Sequence, residues 1–205
     1  MNLAEIRTRV RNRLGEPNER GRFPNAMLND WINDAEREFA IETECVIGAA
    51  TTNVVGGQHE YALPSDFLGP IKVELAYMNR PYVLSPVNFL SINPGVSLSA
   101  YHYYIRGQVL GLHPIPERTA RLTLYYVQNP FPMKNDDDIP TIPGRFHHML
   151  VPWVVYQAKL SDDGKLSEAQ VAYVEWMENL RLAKEQLERQ KSDKYMVLPD
   201  PWEEY

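Results

Sequence analysis

The hydrophobic pattern of this chain changes period twice, from about 3.6 residues to 2 near Val46 and back after Gln128. Helical patterns at both ends and a strand pattern between them leave few architectures open, because each amphipathic element must bury its apolar side against another. If the terminal helices pack together, the strands form an insert carried by a helical body. The expected fold class is α+β: an antiparallel helical bundle formed by both chain ends, with an inserted antiparallel β subdomain and an extended C-terminal tail. The expected boundaries are 1–45 and 131–191 for the two parts of the body, 46–130 for the insert and 192–205 for the tail. A chain of 205 residues is long enough for one sizeable core with a satellite.

Leu3, Ile6, Val10 and Leu14 recur at helical spacing, and Gly15 then Pro17 supply a stop. Phe23-Pro24-Asn25 opens a second helix, whose apolar face (Leu28, Trp31, Ile32, Ala35, Phe39) runs to about Cys45 with charges opposite. A third helix is expected from Gly144 to Leu160. Pro152 inside it lacks an amide donor and must kink the helix or delay its regular start. After Ser161-Asp162-Asp163-Gly164, Ala169, Tyr173, Trp176, Leu180, Ala183 and Leu187 mark the seam of a fourth helix lying at a shallow angle on a neighbour.

Between these parts the residues alternate. Ile47–Val55, Gln58–Leu63, Ile71–Tyr77, Tyr82–Leu84, Tyr101–Ile105, Val109–Leu112 and Leu122–Gln128 read as strands, punctuated by Gly56-Gly57, Asn79-Arg80-Pro81 and Arg106-Gly107-Gln108. Pro86–Leu98 reads as an irregular excursion. Short strands without intervening helices suggest a small antiparallel sandwich or barrel. Asn129–Pro143 reads as an acidic linker back to the helices.

Candidate chemistry is sparse. A net charge of −6 argues against a dedicated DNA binder, since phosphate binding rests on Lys and Arg displacing counterions. Cys45 is the sole cysteine, which excludes an internal disulfide and a Cys-rich zinc site; it reads as a small buried hydrophobe. His147 and His148 are adjacent on a helix and diverge by about 100°, so they make a poor shared metal site and read as a helix-start histidine and a surface one. Asp136-Asp137-Asp138 lacks the ligand spacing and central Gly of a calcium loop. Walker A, dinucleotide-fold and hydrolase-elbow motifs are missing. No catalytic residue, metal ligand or cofactor is therefore expected. Arg7, Arg9, Arg11 and Arg13 form the one basic concentration. They spread over more than one helical face, with Glu5, Glu16 and Glu19 near enough to pair with them, and read as subunit or DNA-channel contacts.

The N-terminus lacks the continuous apolar core of a signal peptide, and no apolar run is long enough to span a bilayer. The chain reads as soluble, made in a reducing cytoplasm and without a membrane partner. Its last segment is unusual. Pro199 and Pro201 forbid a regular helix, yet Tyr195, Met196, Leu198, Trp202 and Tyr205 are too apolar for an ordinary solvated tail. These five residues are the candidate docking anchors, aromatics being common anchors at interfaces.

The helices opening Leu3-Ala4-Glu5-Ile6-Arg7 and Leu28-Asn29-Asp30-Trp31-Ile32-Asn33-Asp34-Ala35 resemble those of the adaptor, or head-to-tail connector, proteins of tailed bacteriophages. Tyr61-Ala62-Leu63-Pro64-Ser65-Asp66-Phe67, Leu110-Gly111-Leu112-His113-Pro114 and Pro140 to His147 continue the match, up to about Gln190. The resemblance implies a structural virion protein at the portal vertex and tail, assembled in the host bacterial cytoplasm. It implies a homo-oligomeric ring, usually of twelve copies, between the portal protein and a tail nozzle or tail tube protein. DNA passes through such a ring without specific binding. Two other readings compete: a metal-assisted hydrolase of the virion using His147, His148 or the aspartates, and a DNA-binding virion component acting through the N-terminal arginines.

Overall fold

In a computed structural model, the structure describes residues 1–16, 21–78, 80–92, 101–162 and 164–194, with side chains as far as Gln190. The chain is α+β and divides into two units: Met1–Cys45 with Pro130–Tyr205, and Val46–Asn129.

The first unit holds four α-helices. Helix α1 (Leu3–Leu14) starts in a capping box, with the Asn2 side chain accepting from the Glu5 amide at 2.9 Å and the Glu5 carboxylate accepting from the Asn2 amide at 3.2 Å. Two first-turn donors are thereby satisfied. It ends where Gly15 takes φ 73°, a left-handed conformation that costs glycine little. Helix α2 (Asn25–Thr43) follows Pro24, and beyond it Cys45 is half-buried rather than buried; desolvation pushes its thiol pKa up. The expected third helix starts late: Gly144–Leu150 is a 3-10 turn, and α3 (Val151–Leu160) becomes regular with Pro152 in its first turn, where a missing amide costs nothing. Helix α4 (Leu166–Lys194) runs through Ser192–Lys194, which extends the helix past the expected start of the tail.

The core of this unit is aromatic. Phe39 of α2 lies 5.5 Å from Phe146 and 6.0 Å from Trp176 of α4 between ring centroids, and Trp176 is 5.3 Å from Trp153 of α3. Burying side chains of this size contributes about 2–3 kcal/mol each. The seam of α4 is Ala169, Ala172, Trp176, Leu180 and Ala183, so Ala172 replaces the expected Tyr173 at the contact. Tyr173 is 40% exposed and stacks at the rim on Tyr156, at 5.1 Å.

The stretch from 130 to 143 is a packed strap as well as a linker. Asp138 and Asp136 backbone oxygens accept from the amides of Leu3 (2.8 Å) and Ala4 (3.1 Å), filling donors that the first turn of α1 leaves open. Asn33 of α2 holds Met133 on both sides, accepting from its amide at 2.8 Å and donating to its carbonyl at 3.0 Å.

The second unit holds one curled seven-stranded sheet, not a sandwich. Its strands are β1 (Ile47–Val54), β2 (Glu60–Ala62), β3 (Phe67–Tyr77), β4 (Arg80–Pro86), β5 (His102–Arg106), β6 (Val109–His113) and β7 (Ala120–Gln128). They lie in the order β1-β7-β3-β4-β5-β6-β2. Strand β3 starts earlier than the pattern suggested, and Arg80 and Pro81 belong to β4 rather than to a turn. All neighbours are antiparallel but one: β4 and β5 pair in parallel through Ser85–His102 and Pro86–Tyr103, which corrects the wholly antiparallel expectation. The excursion before β5 carries a short 3-10 turn, Phe89–Ser91. Alternate residues face inward, among them Val54, Val73, Leu75, Leu112, Leu122 and Leu124. At Gly111 of β6 an added Cβ would lie 2.0 Å from the Tyr104 ring, so glycine alone lets that ring lie across the strand.

Candidate functional site

The four arginines do not form one surface. Arg7 and Arg11 share the face of α1 that carries Leu3, Ile6 and Val10, and both are buried. A buried guanidinium must be matched donor by donor. Arg7 donates to Asp136 at 2.8 Å and to Asn29 at 3.1 Å. Arg11 donates to the Phe23 carbonyl at 2.9 Å and to Asn25 at 2.6 Å. Arg7 ties α1 to α2 and the strap, and Arg11 ties it to the start of α2. Arg13 forms a bidentate pair with Glu175 of α4, at 3.0 and 2.6 Å, and Arg9 is exposed. Glu5 and Glu16 do not pair with these arginines as expected. Glu5 caps α1, and Glu16 accepts from the Arg22 amide at 2.9 Å. Glu19 lies outside the described residues.

The histidines and aspartates are likewise used by the fold. His147 is buried; its Nε2 donates to the Ile142 carbonyl at 2.9 Å, which leaves Nδ1 to accept from the Met1 amine at 3.0 Å. His148 is exposed. Asp138 accepts from the amides of Lys134 (2.7 Å) and Asn135 (2.8 Å), and these bonds hold its pKa below the usual carboxylate range. Asp136 faces Arg7. Among the described residues, no group of three or more His, Cys, Asp or Glu is placed to hold a metal ion.

Sequence reasoning missed Glu36. It lies on the buried face of α2, 1% exposed, and one carboxylate oxygen accepts from the amides of Thr141 and Ile142 in the strap. Desolvation outweighs these bonds and raises its pKa to about 7. Its position one residue after inward-facing Ala35 was the available signal.

Among the described residues, a face of α4 and a cleft in the β unit stand open. On α4, Leu166, Val171, Val174 and Met177 stand exposed on a helix whose other side is packed, with Val171 69% and Val174 61% exposed. Apolar residues outside a helix's packing seam are the sequence trace of such a face. In the β unit, Ala50, Thr51 and Thr52 of β1 stand across a cleft of about 230 Å³ from Tyr61 and Ala62 of β2 and the following Leu63-Pro64, with Leu110, Leu122 and Leu124 also in its lining. The candidate anchors Tyr195, Met196, Leu198, Trp202 and Tyr205 lie outside the described residues.

A clamped helical unit with an apolar outer stripe, joined to a curled β unit with an open seam, presents surfaces and edges for other chains, as an interaction protein does. The family described as SU10 adaptor protein matches residues 1–202, and the chain belongs to that family. It is therefore a phage adaptor, a structural component of the virion. The match extends past Gln190, where the sequence resemblance stopped, to include Trp202. No curated protein matches the chain. No helix among the described residues is long and apolar enough to cross a membrane.

Proposed function

We propose that this adaptor assembles as a homo-oligomeric ring that joins the portal to the tail and continues the DNA channel. The observation that carries the reading is the stripe of Leu166, Val171, Val174 and Met177 on α4. Large apolar side chains left together in water mark an interaction surface. A patch that meets a different patch on the next identical copy makes a heterologous contact, and such contacts close into rings. The family supports the setting, with the portal protein above, a tail nozzle or tail tube protein below, and a ring of twelve copies as the adaptor resemblance implies. Within the ring the four helices serve as a bundle-like wall. The net charge of −6 suits a passage for DNA, because like charge opposes phosphate adhesion. Arg9 and Arg13 are the arginines at the surface for contacts with a neighbour or with passing DNA.

In this reading the tail anchors Tyr195, Met196, Leu198, Trp202 and Tyr205 dock on the portal or on a neighbouring subunit. Truncation after Lys194 removes them and leaves α4 whole. The truncated protein is expected to unfold at the temperature of the full chain and to lose binding to purified portal rings in co-sedimentation. Binding at full-length affinity contradicts the docking role.

A further inference from the structure

We propose that the cleft between β1 and β2 receives the C-terminal segment of a second copy, with Tyr195–Leu198 adding there as a strand. The inference rests on the ring reading above and names the contact that would close it.

Among the described residues, strand β1 pairs with β7 alone and β2 with β6 alone, so the two ends of the curled sheet each turn an open edge toward the seam. An open edge is a row of amide and carbonyl groups that another extended chain can satisfy. The seam is hollow for a reason visible in the register. The inward positions of β1 at the cleft are Ala50 and Thr52, opposite Leu124 and Leu122 of β7, whereas the Tyr126 ring already covers Gly48. Small residues on the edge strand leave the cleft of about 230 Å³ unfilled, with Leu63, Pro64, Leu110, Leu122 and Leu124 among its walls. None of the lining residues is charged. The occupant is thus an extended, uncharged segment with side chains to place between apolar walls.

One segment of this chain has those properties. Residues 195–205 follow the end of α4 and begin Tyr-Met-Val-Leu, four uncharged residues of which alternate ones fill a cleft while the others face out. Pro199 comes next and has no amide to donate, so strand pairing stops after four residues. That length suits β2, which has three. Tyr195 follows Lys194 directly, so the four residues, about 13 Å when extended, bring the end of α4 up to the cleft of the next subunit. Head-to-tail donation gives every copy one donated strand and one filled cleft, the arrangement that closes a ring.

The test places single cysteines in a Cys45→Ser background. One chain carries Thr51→Cys on β1 and a second, of different mass, carries Val197→Cys. Under mild oxidation a disulfide-linked heterodimer is expected at least tenfold above a control pair of Val83→Cys, on exposed β4, with Val197→Cys. Ala50→Leu, which fills the cleft, should cut the product about tenfold while circular dichroism stays unchanged. Equal cross-linking at Thr51 and Val83 overturns the proposal, as does a disulfide formed only within the chain when Thr51→Cys and Val197→Cys are placed together in one chain. Portal binding of the same preparations separates the two readings. Binding without the cross-link overturns the cleft contact alone. The cross-link without binding supports the cleft contact and overturns the portal reading.

Discussion

Glu36 and the N-terminal arginines show how ionisable side chains serve as fasteners of the helical unit. The Glu36 carboxyl holds its proton up to about pH 7 because desolvation exceeds what the Thr141 and Ile142 amides return, whereas its ordinary value is 4.5. The folded state therefore binds that proton more tightly than the unfolded chain does. Its contribution to stability is fully present below about pH 4.5 and is lost as pH rises through about 7. Glu36→Gln keeps an acceptor for the strap amides and removes the titration. Chemical denaturation should show the variant gaining on wild type between pH 5 and pH 8, by on the order of 3 kcal/mol; parallel stability curves would contradict the assignment. Arg7 and Arg11 lie on the apolar face with Leu3 and Val10, which the reading of all four arginines as subunit or DNA-channel contacts overlooked. The partners of these two arginines were not legible either: Asp136 is 129 residues from Arg7, and nothing local encodes that pairing.

Elements built from local repetition were the most readable. Helices α1, α2 and α4 follow their apolar periods, and Pro152 marked where α3 becomes regular. The strap was opaque because a proline-rich stretch has no period, and its order comes from distant partners such as Asn33, Glu36, Arg7 and the first turn of α1. The parallel β4–β5 pair was opaque for a similar reason, since alternation gives a strand its faces and says nothing about its neighbour's direction. Tyr173 was misplaced because a four-three spacing from Ala169 reaches it, whereas the packed face steps from Ala169 to Ala172. Ala158 on α3 and Ala169 and Ala172 on α4 are all buried, and side chains this small bring two helices close, which moves the aromatic to the rim. Trp176 is then the residue on which α2, α3 and α4 converge. Trp176→Ala should destabilise the helical unit by about 3–5 kcal/mol in denaturant titration, and a loss below about 1 kcal/mol would show that the aromatic cluster is not its centre.

At the scale of the molecule, the chain passes between its two units at Cys45–Val46 and Asn129–Pro130. The exposed face of α4 and the open seam of the β unit were hard to read. A surface left for another chain looks, in one sequence, like an ordinary apolar residue out of place. In the proposed function those surfaces serve a ring that stands between portal and tail. Electron microscopy of the purified chain incubated with isolated portal rings tests that claim most directly. The expected result is a second closed ring of this protein, coaxial with the portal and stacked on one end. Monomers bound singly to the portal, or portal rings left bare at saturating adaptor, would contradict it.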